Sequence, residues 1–351
     1  MVSVPARLAV AGAAAAVDSR PVSEARTEFD PYLHDPEHWG VSLAQMRELL
    51  LAVLDAAGAR SVAEIGAFAG DLTRVLVEWA AGRGAAVLAI DPAPQPGLVE
   101  LASSHPALEL IRQTSLEALP VIPLPDAIVI DGDHNYHTVG EELALIGGRA
   151  AGAELPLLLF HDVCWPHARR DDYFDAGLIP ESRRHPQAGD VGGIFPGDPG
   201  LRPGGLPYPR SAAREGGPGN GVLTAIEEFV AGRERVRLAI VPAFFGFGVA
   251  WHEQAPYAAA LAGLLEPLDR NPILERLEAN RVEHLARGHG HAYELWQARQ
   301  QLAAQEAVLH RLLDSSAFSV AERLSRLRAA AGIGGEASVV SKQEIRRVLR
   351  D

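Results

Sequence analysis

Residues 62–76, VAEIGAFAGDLTRVL, pass from an apolar run through a turn spaced by glycines into apolar positions three and four apart. Such a stretch reads as a strand, a loop and an amphipathic helix. On both sides the same alternation continues. Upstream, SLAQMRELLLAVLDAAGA has helical periodicity, and downstream AAVLAID, LELIRQ, DAIVIDG and LPLLLFHD are short apolar runs separated by the helix-like LVELASSH and TVGEELALIGG. Strands that alternate with helices at this spacing require crossover connections and a parallel sheet. Their continuous apolar character, without in–out alternation, places them between two helical layers. The expected fold is therefore α/β, a doubly wound, mostly parallel Rossmann-like sheet.

Outside that repeat the chain changes character. Residues 1–43 have no clear period and read as an N-terminal lid or loop segment; 44–252 form the sheet domain; 165–219, rich in Pro, Gly and Arg, form an insertion after the fifth strand. A segment of that length without obvious elements is usually functional or disordered. The helix-like VLTAIEEFVAG and the strand-like VRLAIV and FFGFGVAWHE complete the sheet, with Phe244, Phe245, Phe247 and Trp251 as core. Residues 253–330 read as a helical or coiled-coil extension, since Leu295, Ala298, Leu302, Leu309 and Leu312 fall at heptad spacing with Gln305 interrupting the seam. A homo-oligomer through these helices is one expected consequence. Residues 331–351 read as a tail.

Composition narrows the function. A chain of 351 residues that is 48% apolar can bury a sizeable core, and its net charge of −13 argues against a nucleic-acid surface. Cys164 is the only cysteine and Lys342 the only lysine, so no internal disulfide forms and no lysine serves as a base near the sheet. No apolar run reaches the roughly 20 residues of a membrane span, and LAVAGAAAAV is too weakly apolar to be read as a signal peptide. The expected setting is the cytoplasm, with a small molecule as substrate.

Chemistry concentrates at the strand ends. Glu64, Gly66 and Gly70 close the first strand and open a helix, where glycines admit a ligand to the backbone and free N–H groups face it. Asp91 ends the second strand, placed to accept both hydroxyls of a ribose. The stretch IDGDHNYH, residues 130–137, ends the fourth strand in Asp131, Asp133 and His134. Ionisable groups clustered where open α/β sheets bind ligands are either solvated or useful. Asp133 is read either as a helix cap or as part of the cluster.

The ordered series AEIGAFAG, AIDP, DAIVIDGDHNY and LLLFHD resembles the motifs of class I S-adenosylmethionine-dependent methyltransferases over roughly residues 44–252. Within them it resembles the metal-assisted O-methyltransferases and related small-molecule enzymes whose fourth strand ends in D-x-D-H-x-Y. The resemblance implies that Gly66 and Gly70 line the methionine part of S-adenosylmethionine, with Glu64 nearby. It places Asp91 on the ribose, Thr114 and Ser115 beside the adenine, and Asp131 at both cofactor and metal. A divalent cation such as magnesium would be held by Asp131, His161 and Asp162, and His134 would be the base for a small-molecule hydroxyl acceptor. Two departures stand out. His134 occupies a position where the plant and animal enzymes carry lysine, and the fifth-strand pair is His161-Asp162 rather than Asp-Asn.

Physical chemistry supports the assignment independently, because an in-line methyl displacement depends on positioning and a protonated hydroxyl is a poor nucleophile without a base or a cation. Two other functions compete. An NAD-dependent oxidoreductase would also use Asp91, though the spacing G-x-G-x-x-G is absent; a non-catalytic Rossmann-like binding or scaffold protein would use the helical extension. Of the remaining candidates, Arg169, Arg170, Arg183 and Arg184 could meet an anionic substrate. His167 could face the substrate, Cys164 has no evident base except the nearby imidazoles, and His284, His289 and His291 are expected on a solvated helix surface.

Overall fold

The computed structural model describes residues 41–150, 152–189, 192–333 and 340–349; the expected lid therefore lies outside the described residues except for its last three. The first long helix, α1 (Arg47–Ala57), buries Leu50, Val53 and Leu54 and stops at Gly58, whose φ of 64° a residue with a Cβ adopts only at a cost. Five parallel strands follow with their crossover helices: β1 (Ser61–Ile65), α2 (Asp71–Ala81), β2 (Ala86–Ile90), α3 (Pro96–Ser104), β3 (Leu108–Ile111), α4 (Ser115–Ala118), β4 (Ala127–Ile130), α5 (Tyr136–Arg149) and β5 (Leu157–Phe160). The insertion carries a small antiparallel hairpin, β6 (Gly193–Phe195) and β7 (Asp198–Arg202). Then come α6 (Val222–Ala231), β8 (Val236–Val241) and β9 (Phe247–His252).

The main sheet has the order β3-β2-β1-β4-β5-β9-β8, with β9 antiparallel to both of its neighbours. This is the doubly wound, mostly parallel sheet that the alternation predicts. Strands β4 (AIVI) and β5 (LLLF) are buried at every position because both faces are covered. Val62, Ala127, Val129 and Leu157 pack under α1, α2, α3 and α7 (Ala258–Leu265), while Ala63, Ile65, Ile128 and Ile130 pack under α5 and α6. Strand order reverses between β1 and β4, so the crevice for a ligand opens at their carboxyl ends.

The described residues form two compact units, one ending at Glu294 and one starting at Leu295. Helix α8 (Pro272–Asp314) contributes to both. Its first half packs on the insertion through Ala286, which meets Ile194 and Leu206. His289 is buried there, whereas His284 and His291 are exposed, so only two of the three follow the solvated reading. In the second unit Leu295, Leu302 and Leu312 are exposed, and α9 (Ser316–Ala330) and α10 (Lys342–Val348) complete the chain. No helix among the described residues is long and apolar enough to cross a membrane.

Candidate functional site

Gly66 and Asp131 meet at the switch point. Asp131 N–H donates to the Ile65 carbonyl and Gly66 N–H to the Ile90 carbonyl, extending the ladders past the strand ends. Gly66 has φ 87°, and a Cβ there would lie 2.2 Å from the Asp131 carbonyl oxygen and 2.4 Å from Gly132 Cα. Its glycine is thus required first by strand packing, a reason distinct from ligand approach. Gly70, at φ 89°, precedes α2 and turns the chain into the helix. Between them, Phe68 has φ 40° and is 59% exposed, an apolar ring held at the crevice by a backbone conformation rare for its type.

Asp91 holds this loop. Its two carboxylate oxygens accept from Phe68 N–H and Ala93 N–H, each at 2.7 Å, so the side chain builds the turn before Pro92 and keeps further acceptor capacity. Glu64 is buried on β1 and accepts from the Thr73 hydroxyl at 2.6 Å; burial pushes its carboxyl up to about 8. It therefore supports α2 from beneath. Thr114 caps α4 in a reciprocal box with Glu117, and Ser115 beside it is buried.

The fourth and fifth strands bring four of the expected residues together. His134 Nε2 lies 3.1 Å from Asp162 Oδ2 and 3.5 Å from Asp131 Oδ1. His161 Nδ1 lies 3.1 Å from Asp131 Oδ1 and 3.3 Å from Asp162 Oδ2. Asp162 is pushed into place by a φ of 57°. Burial opposes charge on both imidazoles, but Asp162 and Asp131 outweigh it, taking His134 up to about 9 and His161 well above its ordinary value. In turn the imidazoles, His161 foremost, overcome the opposing effect of burial and hold both carboxyls below the usual range. Two carboxylates and two imidazolium ions thus balance.

His161 uses its other nitrogen, Nε2–H, to donate to the Phe244 carbonyl at 2.8 Å. Phe244 and Phe245 stand at φ 50° and 67°, and their N–H groups donate to Glu278 on α8 at 3.0 and 2.8 Å. Arg281 pairs with the same carboxylate. Glu278 is therefore a positioning residue for His161, and nothing in the sequence pairs two positions so far apart. Glu278→Ala leaves two backbone donors and a guanidinium without their acceptor and is expected to cost about 3 kcal/mol in urea unfolding.

The other candidates have structural tasks. Asp133 accepts from the Thr138 hydroxyl and from Phe174 N–H at 2.8 Å each, tying α5 to the insertion, while Asn135 caps the helix. Arg170 is fully buried and donates to the carbonyls of Ala212 and Pro199, Arg169 pairs with Glu227, and Arg184 donates to the Ile179 carbonyl. Arg170 and Arg184 thus tie the insertion to itself and Arg169 ties it to α6, while Arg183 stays exposed. Burial pushes the Cys164 thiol up to about 12, which leaves no nucleophile at neutral pH.

Donor atoms of Asp131, His134 and Asp162 lie within 4.8 Å of one another, and His161 Nδ1 lies within 3.3 Å of both carboxylates. Two carboxylates flanked by two imidazoles fit a divalent cation, whose charge would replace that of the imidazolium protons.

Residues 63–163 match the family model described as a methyltransferase domain. No curated protein matches the chain. Among solved structures, the chain is similar to the S-adenosylhomocysteine-bound methyltransferase of Podospora anserina, with 17% identity over 62% of this chain and 86% of that one and a TM-score of 0.36. It is similar also to a Staphylococcus aureus protein assigned as a caffeoyl-CoA O-methyltransferase, with 11% identity, 59% and 83% coverage and a TM-score of 0.37. The human N-acetylserotonin methyltransferase in complex with S-adenosylmethionine gives 14% identity, 66% and 60% coverage and a TM-score of 0.33. The strand order and the matched domain, rather than these overlays, establish the Rossmann-like methyltransferase fold.

Proposed function

We propose that this S-adenosylmethionine-dependent methyltransferase methylates a hydroxyl oxygen of a small molecule, such as a sugar, a glycan precursor or a secondary metabolite. The observation that carries the reading is the meeting of Asp131, His134, His161 and Asp162 beside the β1–β4 crevice. There the cofactor's methyl group and an acceptor oxygen can be held close together. Gly66, Gly70 and Phe68 shape the cofactor side, Asp91 offers its remaining lone pairs to a ribose, and Ser115 closes the far end.

On the acceptor side His134 is the base. A ring held at about 9 carries its proton at neutral pH and cannot accept another, so the role requires other positive charge beside Asp131 and Asp162. A divalent cation, when bound, would supply that charge and acidify an acceptor hydroxyl. Asp131, Asp162 and His161, whose Nδ1 already faces both carboxylates, would hold it, which leaves His134 for the proton. His134, returned to its neutral form, then takes the hydroxyl proton, while His161 keeps the two carboxylates aligned through Phe244. The buried walls of β4 and β5 exclude water from the reacting pair. A homo-oligomer through the exposed heptad leucines and a cytoplasmic setting remain parts of the same proposal.

Calorimetric titration with S-adenosylmethionine, with and without magnesium, tests the reading. Wild-type protein is expected to bind, and Asp91→Ala to bind at least about tenfold more weakly, because hydrogen bonds to a charged acceptor are each worth about 1.5–3 kcal/mol. Absence of binding in both conditions would sink the proposal. A response to NAD would then favour the oxidoreductase.

A further inference from the structure

The insertion brings a second set of donors to the other side of His134. His167, in the loop after β5, is 4% exposed, and its ring stacks on that of His134 with centroids 5.1 Å apart and planes 20° from parallel. Tyr208 packs edge-on against His167 at 5.1 Å. Asp172 is placed by its backbone, which donates to the His134 carbonyl at 2.9 Å and bridges to Ser211. Donor atoms of His134, His167 and Asp172 lie within 4.8 Å of one another. His167 Nδ1 and Asp172 Oδ1 are buried without a hydrogen-bond partner, and His134, paired through Nε2 with Asp162, borders them.

Folded proteins seldom leave one such atom unpaired, and two facing a third donor, an imidazole, in one small space call for an occupant. Two imidazoles and one carboxylate are the donor set of a borderline transition ion, whereas hard ions prefer oxygen and retain water. We propose that His134, His167 and Asp172 form a binding site for a transition-metal ion of the zinc or cobalt type, separate from the carboxylate position of Asp131 and Asp162. The site is a product of the insertion, since both His167 and Asp172 come from the segment after β5. His134 belongs to both groups. An ion at this site and proton acceptance by His134 therefore exclude one another, a consequence that rests on the function proposed above.

The test is titration of the metal-stripped full chain with Co2+, Zn2+ and Mg2+, read by calorimetry and by the visible absorption of bound cobalt. Wild type is expected to take one cobalt or zinc ion at this site with imidazole-type ligation. His167→Gln and Asp172→Asn are each expected to weaken cobalt binding at least about 10- to 100-fold, the range seen when even an outer partner of a ligand is lost. Both should leave magnesium binding unchanged. Asp131→Asn is expected to do the reverse. Should His167→Gln fail to fold, shown by its circular dichroism, Asp172→Asn and the count of exchangeable imidazole N–H resonances in the cobalt-loaded wild type decide alone; two imidazoles are expected. Cobalt binding that survives both insertion variants, or that disappears only with Asp131→Asn, would overturn the site, as would a tighter hold on magnesium than on zinc. S-adenosylmethionine binding is measured separately and can fail without touching these outcomes.

Discussion

Gly66→Ala is expected to destabilise the folded chain by about 2–5 kcal/mol and to abolish binding of S-adenosylmethionine. Two costs add. A φ of 87° places any residue with a Cβ in a left-handed conformation, at about 1–2 kcal/mol. The new methyl group would lie 2.2 Å from the carbonyl oxygen of Asp131 and 2.6 Å from its carbonyl carbon, and these are backbone atoms at the end of a central strand. A flexible side chain could swing aside, but here β1 and β4 must separate, and overpacking of that kind costs about 1–3 kcal/mol more. Separation also moves Asp131 relative to His161 and Asp162. Urea unfolding gives the stability and calorimetry the cofactor affinity. Gly70→Ala is the control: its φ is equally unfavourable, yet the added Cβ would meet only Leu98 atoms at 3.5 Å, so it should lose the conformational part alone. Equal losses in the two variants would show that strand packing against Asp131 is not the reason for Gly66.

This comparison also shows what the sequence reveals and what it hides. Strand ends are legible because a parallel sheet brings every carboxyl terminus to one edge, so Asp91, Asp131 and Asp162 can be placed from pattern alone. The identity of Gly66 is legible, but its main reason is not: the neighbour that forbids a side chain comes from a strand 65 residues later, paired through the register Ile65–Ile130. Asp91 stands where the pattern places it and also builds the turn before Pro92. For Arg170 and Arg184 residue type alone could not show that the guanidinium donates to carbonyls within its own insertion. Phe68 and Glu278 carry no motif at all. A left-handed phenylalanine and a carboxylate capping two amides on a distant loop exist only once the tertiary structure brings them together.

Stability of the metal-free chain is expected to fall as pH rises from about 5 to about 9, by several kcal/mol in total. Three buried groups set the direction. Burial pushes the Glu64 and Glu142 carboxyls from 4.5 up to about 8 each. Between those values the unfolded chain has released the proton that the folded chain retains, so the folded state binds more protons and loses stability with each step upward. His134 acts in the same sense. Its folded value of about 9 exceeds the ordinary 6.5, so its pairing with Asp162 and Asp131 contributes fully below 6.5 and is lost as pH climbs through about 9. His161 adds to this. His167, held neutral by burial, opposes it, but only near and below its ordinary value of 6.5. The lowered Asp131 and Asp162 carboxyls act below 3.8, outside the window. Urea unfolding across the range, with chelator present, measures the slope. Glu142→Gln removes a titrating proton without removing volume and should flatten the part between 4.5 and about 8. Added magnesium should reduce the His134 part, because a cation beside the carboxylates replaces the imidazolium charge that they hold. A flat profile in the chelated wild type would contradict the buried-acid account, and a slope indifferent to magnesium would contradict a cation held by Asp131 and Asp162.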